Sequence, residues 1–137
     1  MALEKLSADQ KKQLLEAARG AVKQAYAPYS KFRVGAAVLT ENGSIFSGCN
    51  VENASYGLTI CAERNAIFSA VAAEGGDKMK VRAVAVLTEH NVPCSPCGAC
   101  RQVIFEFGPD ATVLFQGLEG MRDSRADDLL PEGFRFK

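Results

Sequence analysis

The sequence predicts an α/β fold in which a mixed sheet carries helices on its faces. Three observations predict it. Residues Phe32 to Val51 form two apolar-rich runs around Glu41-Asn42-Gly43, the signature of a β-hairpin. Later apolar runs at Val81–Leu87 and Thr112–Phe115 each follow a stretch of helical periodicity, as strand–helix–strand crossovers do. The run at Val81 is almost continuously apolar, as in a strand covered on both faces. With 137 residues, 47% of them apolar and 23% charged, the chain reads as a single domain, 1–137, with a substantial core.

Taken in order, Ser7 to Gln10 fit a capping box. Leu14, Leu15, Ala18, Val22 and Ala25 continue at helical spacing, so a helix is expected from Ala8 to Tyr26, ended by Pro28. A strand follows from Phe32 to Leu39. After the turn, a second strand runs from Ser44 to Val51, with Gly48 marking a bulge. Glu52 to Leu58 is polar and irregular. A helix from Cys61 to Ala73 buries Ala62, Ala66, Ile67, Ala70 and Val71, and Gly75-Gly76 stops it. After the Val81 strand, Glu89 to Ser95 reads as a loop. Pro96 opens a helix from Cys97 to Phe107, closed by Gly108. Beyond the Thr112 strand, Asp123 to Leu130 is expected to hold a strand end and a helical turn or two, capped by Asp123 or Ser124, with Pro131 as the stop.

Sixteen basic and sixteen acidic residues cancel, leaving none of the basic excess that marks a nucleic-acid partner. Met1 to Lys5 do not resemble a signal peptide, and no apolar run approaches the ~18 residues of a membrane span. The expected location is cytoplasmic, with neither nucleic acid nor membrane as partner. In that compartment five cysteines point to metal or catalysis rather than disulfides.

Two clusters carry the chemistry. Thr59 to Asn65 brings a thiol (Cys61), a carboxylate (Glu63) and a guanidinium (Arg64) to a helix start. Pro96 to Gln102 contains Cys97-Gly98-Ala99-Cys100. Cys97 and Cys100 lie one helical turn apart and can face the same way. Cys61 supplies the third ligand of a catalytic zinc, one Zn2+ per subunit, whose fourth position stays open for water. Both clusters sit at helix N-termini, where the dipole favours thiolate. Three thiolates outweigh the zinc charge, so a cation is needed. Arg64 is the first candidate for charge balance and Arg101 the second. Glu63 is offset from the Cys61 face and suits proton transfer better than ligation. A competing closed site would add Cys94 as a fourth sulfur ligand. Cys94 reads better as a loop thiol near the centre, Cys49 as packed core, and His90 as exposed and not a ligand.

These residues resemble the small, homotetrameric cytidine deaminases, whose zinc signature has Cys or His two residues before Glu, then Pro-Cys-x-x-Cys. Cys61-Ala62-Glu63 and Pro96-Cys97 to Cys100 match it. Tyr26 to Ala37, Asn50 to Tyr56 and Leu129 to Pro131 resemble the family's other segments, so the likeness covers about Leu14 to Phe134. The stretch Gln116 to Asp123 departs most. The resemblance implies a three-layer α-β-α domain with a mixed, mostly five-stranded sheet. It implies hydrolytic deamination of cytidine and 2′-deoxycytidine in pyrimidine salvage. Glu63 is then the catalytic proton carrier, and Cys61, Cys97 and Cys100 hold the metal. Phe32 packs on the pyrimidine, Asn50 and Glu52 hold the ribose hydroxyls, and backbone near Ala62 orients the amine. Tyr56 and Phe134, with Phe136 as a rival for the latter, serve the site across subunit boundaries of a homotetramer. Two other readings stay open: a blasticidin S-type deaminase of the same fold, and a non-enzymatic structural zinc module.

Overall fold

The computed structural model describes residues 6–136, so the Met1–Lys5 reading lies outside the described residues. Ser7 opens the first helix as expected. Its hydroxyl accepts from the Gln10 backbone N–H, and the Gln10 side chain accepts from the Ser7 N–H, both at 3.0 Å. Helix α1 (Ala8–Val22) ends before the predicted Tyr26. Tyr26 is drawn out of the helix by Asn50 and Glu52. Its N–H donates to the Asn50 carbonyl and its carbonyl accepts from the Glu52 N–H, forming a bridge to Val51.

Strand β1 (Val34–Thr40) is buried along its whole length. Strand β2 (Ile45–Cys49) returns through the Gly43 turn, where φ is +89°. Helix α2 (Ala62–Glu74) ends at Gly75, whose φ is +97°. Strand β3 (Val81–Thr88), helix α3 (Gly98–Phe107) and strand β4 (Thr112–Gly117) follow. The departing stretch ends β4 and enters strand β5 (Gly120–Arg125), which a single turn, α4 (Ala126–Leu129), follows. Neither Asp123 nor Ser124 caps that turn, because both are paired in the β4–β5 ladder opposite Leu114 and Val113. Arg125 occupies the cap position without a side-chain cap bond; its guanidinium instead bridges Asp110 and Asp127, at 2.8 Å each.

The strands form one five-stranded mixed sheet in the order β2-β1-β3-β4-β5. Alternation along β1 divides the core. Val34, Ala36 and Val38 face α2 and α3 with Ala66, Ile67 and Ile104. Ala37 and Leu39 face α1 with Leu14, Ala18 and Val22. The result is three layers, helix–sheet–helix.

The topology also fixes where function can sit. Strands β2 and β3 both run antiparallel to β1 and are therefore parallel to each other. The α2 and α3 segments leave the carboxyl ends of these two strands, so both helices begin at the same edge of the sheet. This is where open α/β sheets place their ligands.

Gly48 does not form the predicted bulge. Its ladder partner is Ala36, in unbroken register. A Cβ at Gly48 would lie 2.4 Å from the Ala66 nitrogen and 2.8 Å from the Ala62 carbonyl oxygen. The glycine lets α2 press onto β2. Cys49, expected in the core, is half-buried at the end of that strand.

Gly48→Ala should therefore lower stability by about 2–3 kcal/mol in urea denaturation, the cost of forcing atoms into packed space. Gly20→Ala, in α1 with nothing near its missing Cβ, should raise stability by about 0.5–1 kcal/mol. Equal effects from the two substitutions would contradict the close approach at Gly48.

Candidate metal centre and substrate site

Cys61 and Cys97 do not lie inside their helices. They are the N-cap residues of α2 and α3, at the helix ends where first-turn N–H groups are left unpaired. The Cys97 sulfur accepts from the Cys100 N–H at 3.5 Å. Cys100, in the first turn of α3, is fully buried. The shared starting edge of the two helices brings the three sulfurs within 4.8 Å of one another.

This spacing fits a tetrahedral metal. Zinc–sulfur bonds of about 2.3 Å require sulfurs about 3.8 Å apart, and Cys61 and Cys97 are 3.9 Å apart. Cys94 does not join the group; its sulfur contacts the Ser95 carbonyl at 3.9 Å. The thiol is close enough to feel the centre: burial first, then the charges of Glu63, Cys61 and Cys97, push its pKa up to about 11. Three sulfurs leave a fourth position open, and a soft thiolate set suits zinc. Zinc is the cofactor that this donor set fits.

The electrostatics follow the geometry. The Cys61 thiol is pulled down to about 5, first by the bond from Cys100 and then by Arg64. That same bond holds the Cys100 proton on, with burial and the Glu63 charge adding to it. Arg64 Nη2 donates to the Cys61 sulfur at 3.3 Å, which raises the guanidinium's affinity for its proton. Its Nε is buried without a hydrogen-bond partner among the described residues. Arg101, the second candidate for charge balance, has its guanidinium engaged elsewhere. It donates to the carbonyls of Pro96 (2.7 Å) and Leu129 (3.0 Å) and to the Ser95 hydroxyl (3.3 Å). Glu63 is 4% exposed. Burial, followed by the Cys61 thiolate, pushes its carboxyl up to about 7. Ala62, between ligand and acid, is fully buried. His90 is exposed and lies 3.6 Å from Glu89.

The other expected site residues fall into three groups. Asn50 clamps the start of β1. Its Nδ2 donates to the Phe32 carbonyl at 2.8 Å and its Oδ1 accepts from the Val34 N–H at 2.9 Å, while the Phe32 ring is partly exposed. Glu52 accepts from the Tyr29 N–H at 2.9 Å, the Ser30 N–H at 3.1 Å and the Ser30 hydroxyl. These bonds, the hydroxyl's foremost, hold its carboxyl below the usual range. Glu52 and Tyr56 line one cavity of about 360 Å³ with Tyr29, Ser30, Asn53 and Thr59. Tyr56 and Phe134 stand out from the chain, 79% and 64% exposed, Tyr56 edge-on to Tyr29 and Phe134 against Phe136. Sequence reasoning missed Asn65, whose Nδ2 donates to the Cys49 carbonyl at 2.8 Å and ties α2 to β2. Only the polar side chain's place on α2 hinted at it.

Fold and site together define a small α/β metalloprotein with a three-thiolate centre beside a buried acid. Residues 8–116 match the family described as the cytidine and deoxycytidylate deaminase zinc-binding region, and the chain belongs to that family. A cytidine deaminase from Sporosarcina psychrophila is 47% identical over 136 residues, spanning 98% of this chain and 92% of that protein. The crystal structure of cytidine deaminase from Burkholderia pseudomallei superposes with a TM-score of 0.79 at 51% identity, covering 90% of this chain and 98% of that one. A blasticidin-S deaminase from Bacillus cereus is less similar, 34% identical over 109 residues and 74% of this chain.

The raised Glu63 pKa has a consequence for stability. A folded pKa near 7 against an ordinary 4.5 means that the protonated carboxyl stabilises the fold fully below pH 4.5. That contribution is lost as pH rises through about 7. In chelator-treated protein, Glu63→Gln should therefore gain stability relative to the unaltered chain between pH 5 and pH 8. The gain should be on the order of 1–3 kcal/mol, read from urea midpoints at both pH values. A difference that does not change with pH would contradict burial as the cause.

Proposed function

We propose that this protein is a hydrolase that converts cytidine and 2′-deoxycytidine to uridine and 2′-deoxyuridine with release of ammonia. The observation that carries the reading is the buried Glu63 carboxyl two residues from Cys61, next to three sulfurs that lie within 4.8 Å of one another. Cys61, Cys97 and Cys100 would hold a zinc ion, which when bound would supply Lewis acidity and an open position for water. Arg64, bonded to the Cys61 sulfur, offsets the excess thiolate charge.

Glu63 carries the protons. Its carboxylate takes one from the attacking water and delivers it to ring N3. It then passes the second to the departing amine, so the water oxygen stays on C4 and ammonia leaves. Burial raises the affinity of the Glu63 carboxyl for a proton, which suits a group that must both accept and donate. Phe32 stacks on the pyrimidine, and backbone near Ala62 orients the amine. Asn50 spends one amide N–H and one lone pair on the β1 clamp and keeps one of each for a ribose hydroxyl. Glu52 is held rigid by Tyr29 and Ser30 and accepts from the other hydroxyl. The exposed rings of Tyr56 and Phe134 serve neighbouring copies in a homotetramer that works in cytoplasmic pyrimidine salvage, with no nucleic-acid or membrane partner.

Cytidine turnover followed by ultraviolet absorbance, with metal analysis of the same sample, tests the reading. The unaltered protein should hold one zinc per chain and deaminate cytidine in preference to blasticidin S. Glu63→Gln should keep its zinc and lose about 10²–10⁴-fold in kcat. Normal turnover by that variant would remove Glu63 from the mechanism. A preference for blasticidin S would replace the substrate.

A further inference from the structure

The C-terminal segment is tied to α3 at three carbonyls. Arg101 donates to the Leu129 carbonyl at 3.0 Å. Gln102 Nε2 donates to the Phe134 carbonyl at 3.1 Å. Arg135 reaches back to the Glu106 carbonyl at 2.9 Å, one of the last-turn groups that α3 itself leaves unpaired and where a cation is favoured. The chain reverses between α4 and the tail in a turn closed by Gly133 N–H to the Leu130 carbonyl at 2.9 Å. Glu132 sits in that turn at φ +54°, a left-handed conformation that a side-chain-bearing residue keeps only when its surroundings hold it. Beyond the turn, Phe134 and Phe136 touch, with ring centroids 5.9 Å apart. Phe134 is anchored through its own carbonyl, while Phe136 is 97% exposed.

We propose that α3 sets the position of the C-terminal aromatic ring relative to the metal centre, with Gln102 as a positioning residue for substrate binding. Gln102 lies two residues after Cys100, about 3 Å of helix rise. One half-turn therefore links a metal ligand to the backbone of Phe134. An untied segment would spread its ring over many positions, and ordering it on each binding event would weaken affinity. The Gln102 bond orders it in advance. The anchored carbonyl also selects between the two rings: Phe134 is placed, and Phe136 is not. The inference rests on the proposed reading that Phe134 contacts the nucleoside in a neighbouring copy's site.

A double-mutant cycle in the zinc-loaded protein tests it, with kcat, KM for cytidine and zinc content measured for each variant. Gln102→Ala should raise KM about five-fold, the size of one net hydrogen bond, with kcat within about two-fold and zinc content unchanged. Gln102→Glu, which keeps the length and removes the donor, should behave the same way. Phe134→Ala should raise KM at least as much, and Gln102→Ala in that background should add nothing. Phe136→Ala should leave KM unchanged. The proposal is overturned if Gln102→Ala leaves KM unchanged, if its effect is additive with Phe134→Ala, or if Phe136→Ala is the substitution that raises KM. Failure of the underlying reading looks different: Phe134→Ala would leave KM unchanged, or the unaltered zinc protein would not turn over cytidine, and both would fall.

Discussion

Three cysteine sulfurs within 4.8 Å of one another are a charge problem that the surrounding structure has to solve. As thiols they can share protons, and Cys100 does donate towards Cys61. As thiolates they repel unless a cation lies among them. The protein supplies part of the compensation itself: two helix N-termini, with Cys61 and Cys97 as their caps, and the Arg64 guanidinium. Zinc supplies the rest. The same crowding shapes Glu63, which is buried beside the sulfurs and holds its proton up to about neutral pH. Burial and a neighbouring negative charge account for that affinity with no further device.

That cluster depends on strand direction. Because β1 pairs with both β2 and β3 in antiparallel fashion, the two helices that follow those strands start on one side of the sheet. Gly48 then sets the depth of α2 by letting its backbone approach β2, and Asn65 pins the same helix to the end of that strand. On α3, Arg101 holds the Ser95-Pro96 approach to Cys97 and the end of α4 with one guanidinium. The planar fork suits this work, since it reaches several acceptors in fixed directions.

Local signals in the sequence are readable where the cause is local. The Ser7 capping box, the Gly43 turn, the Gly75 stop and the helix-start position of the cysteines each depend on residues a few positions apart. The fold class follows from their order. The misreadings have causes that lie elsewhere in the chain. Gly48 looks like a bulge because the reason for it is a helix that arrives only after folding. Tyr26 looks helical because its competing partners, Asn50 and Glu52, are far away in sequence. Cys61, Cys97 and Cys100 are legible as one group from residue type and spacing, since metal chemistry makes sense of that trio. The clamp that Asn50 places on Phe32 is not legible in the same way, because a backbone contact leaves no mark on the residue contacted.

The central claim is that three sulfurs hold one zinc and leave its fourth position to a light atom beside Glu63. X-ray absorption at the zinc edge of the purified protein tests it most directly. The account predicts three sulfur neighbours at about 2.3 Å and one oxygen or nitrogen at about 2.0 Å. Four sulfur neighbours would contradict it, since Cys94 would then close the site and no position would remain for water.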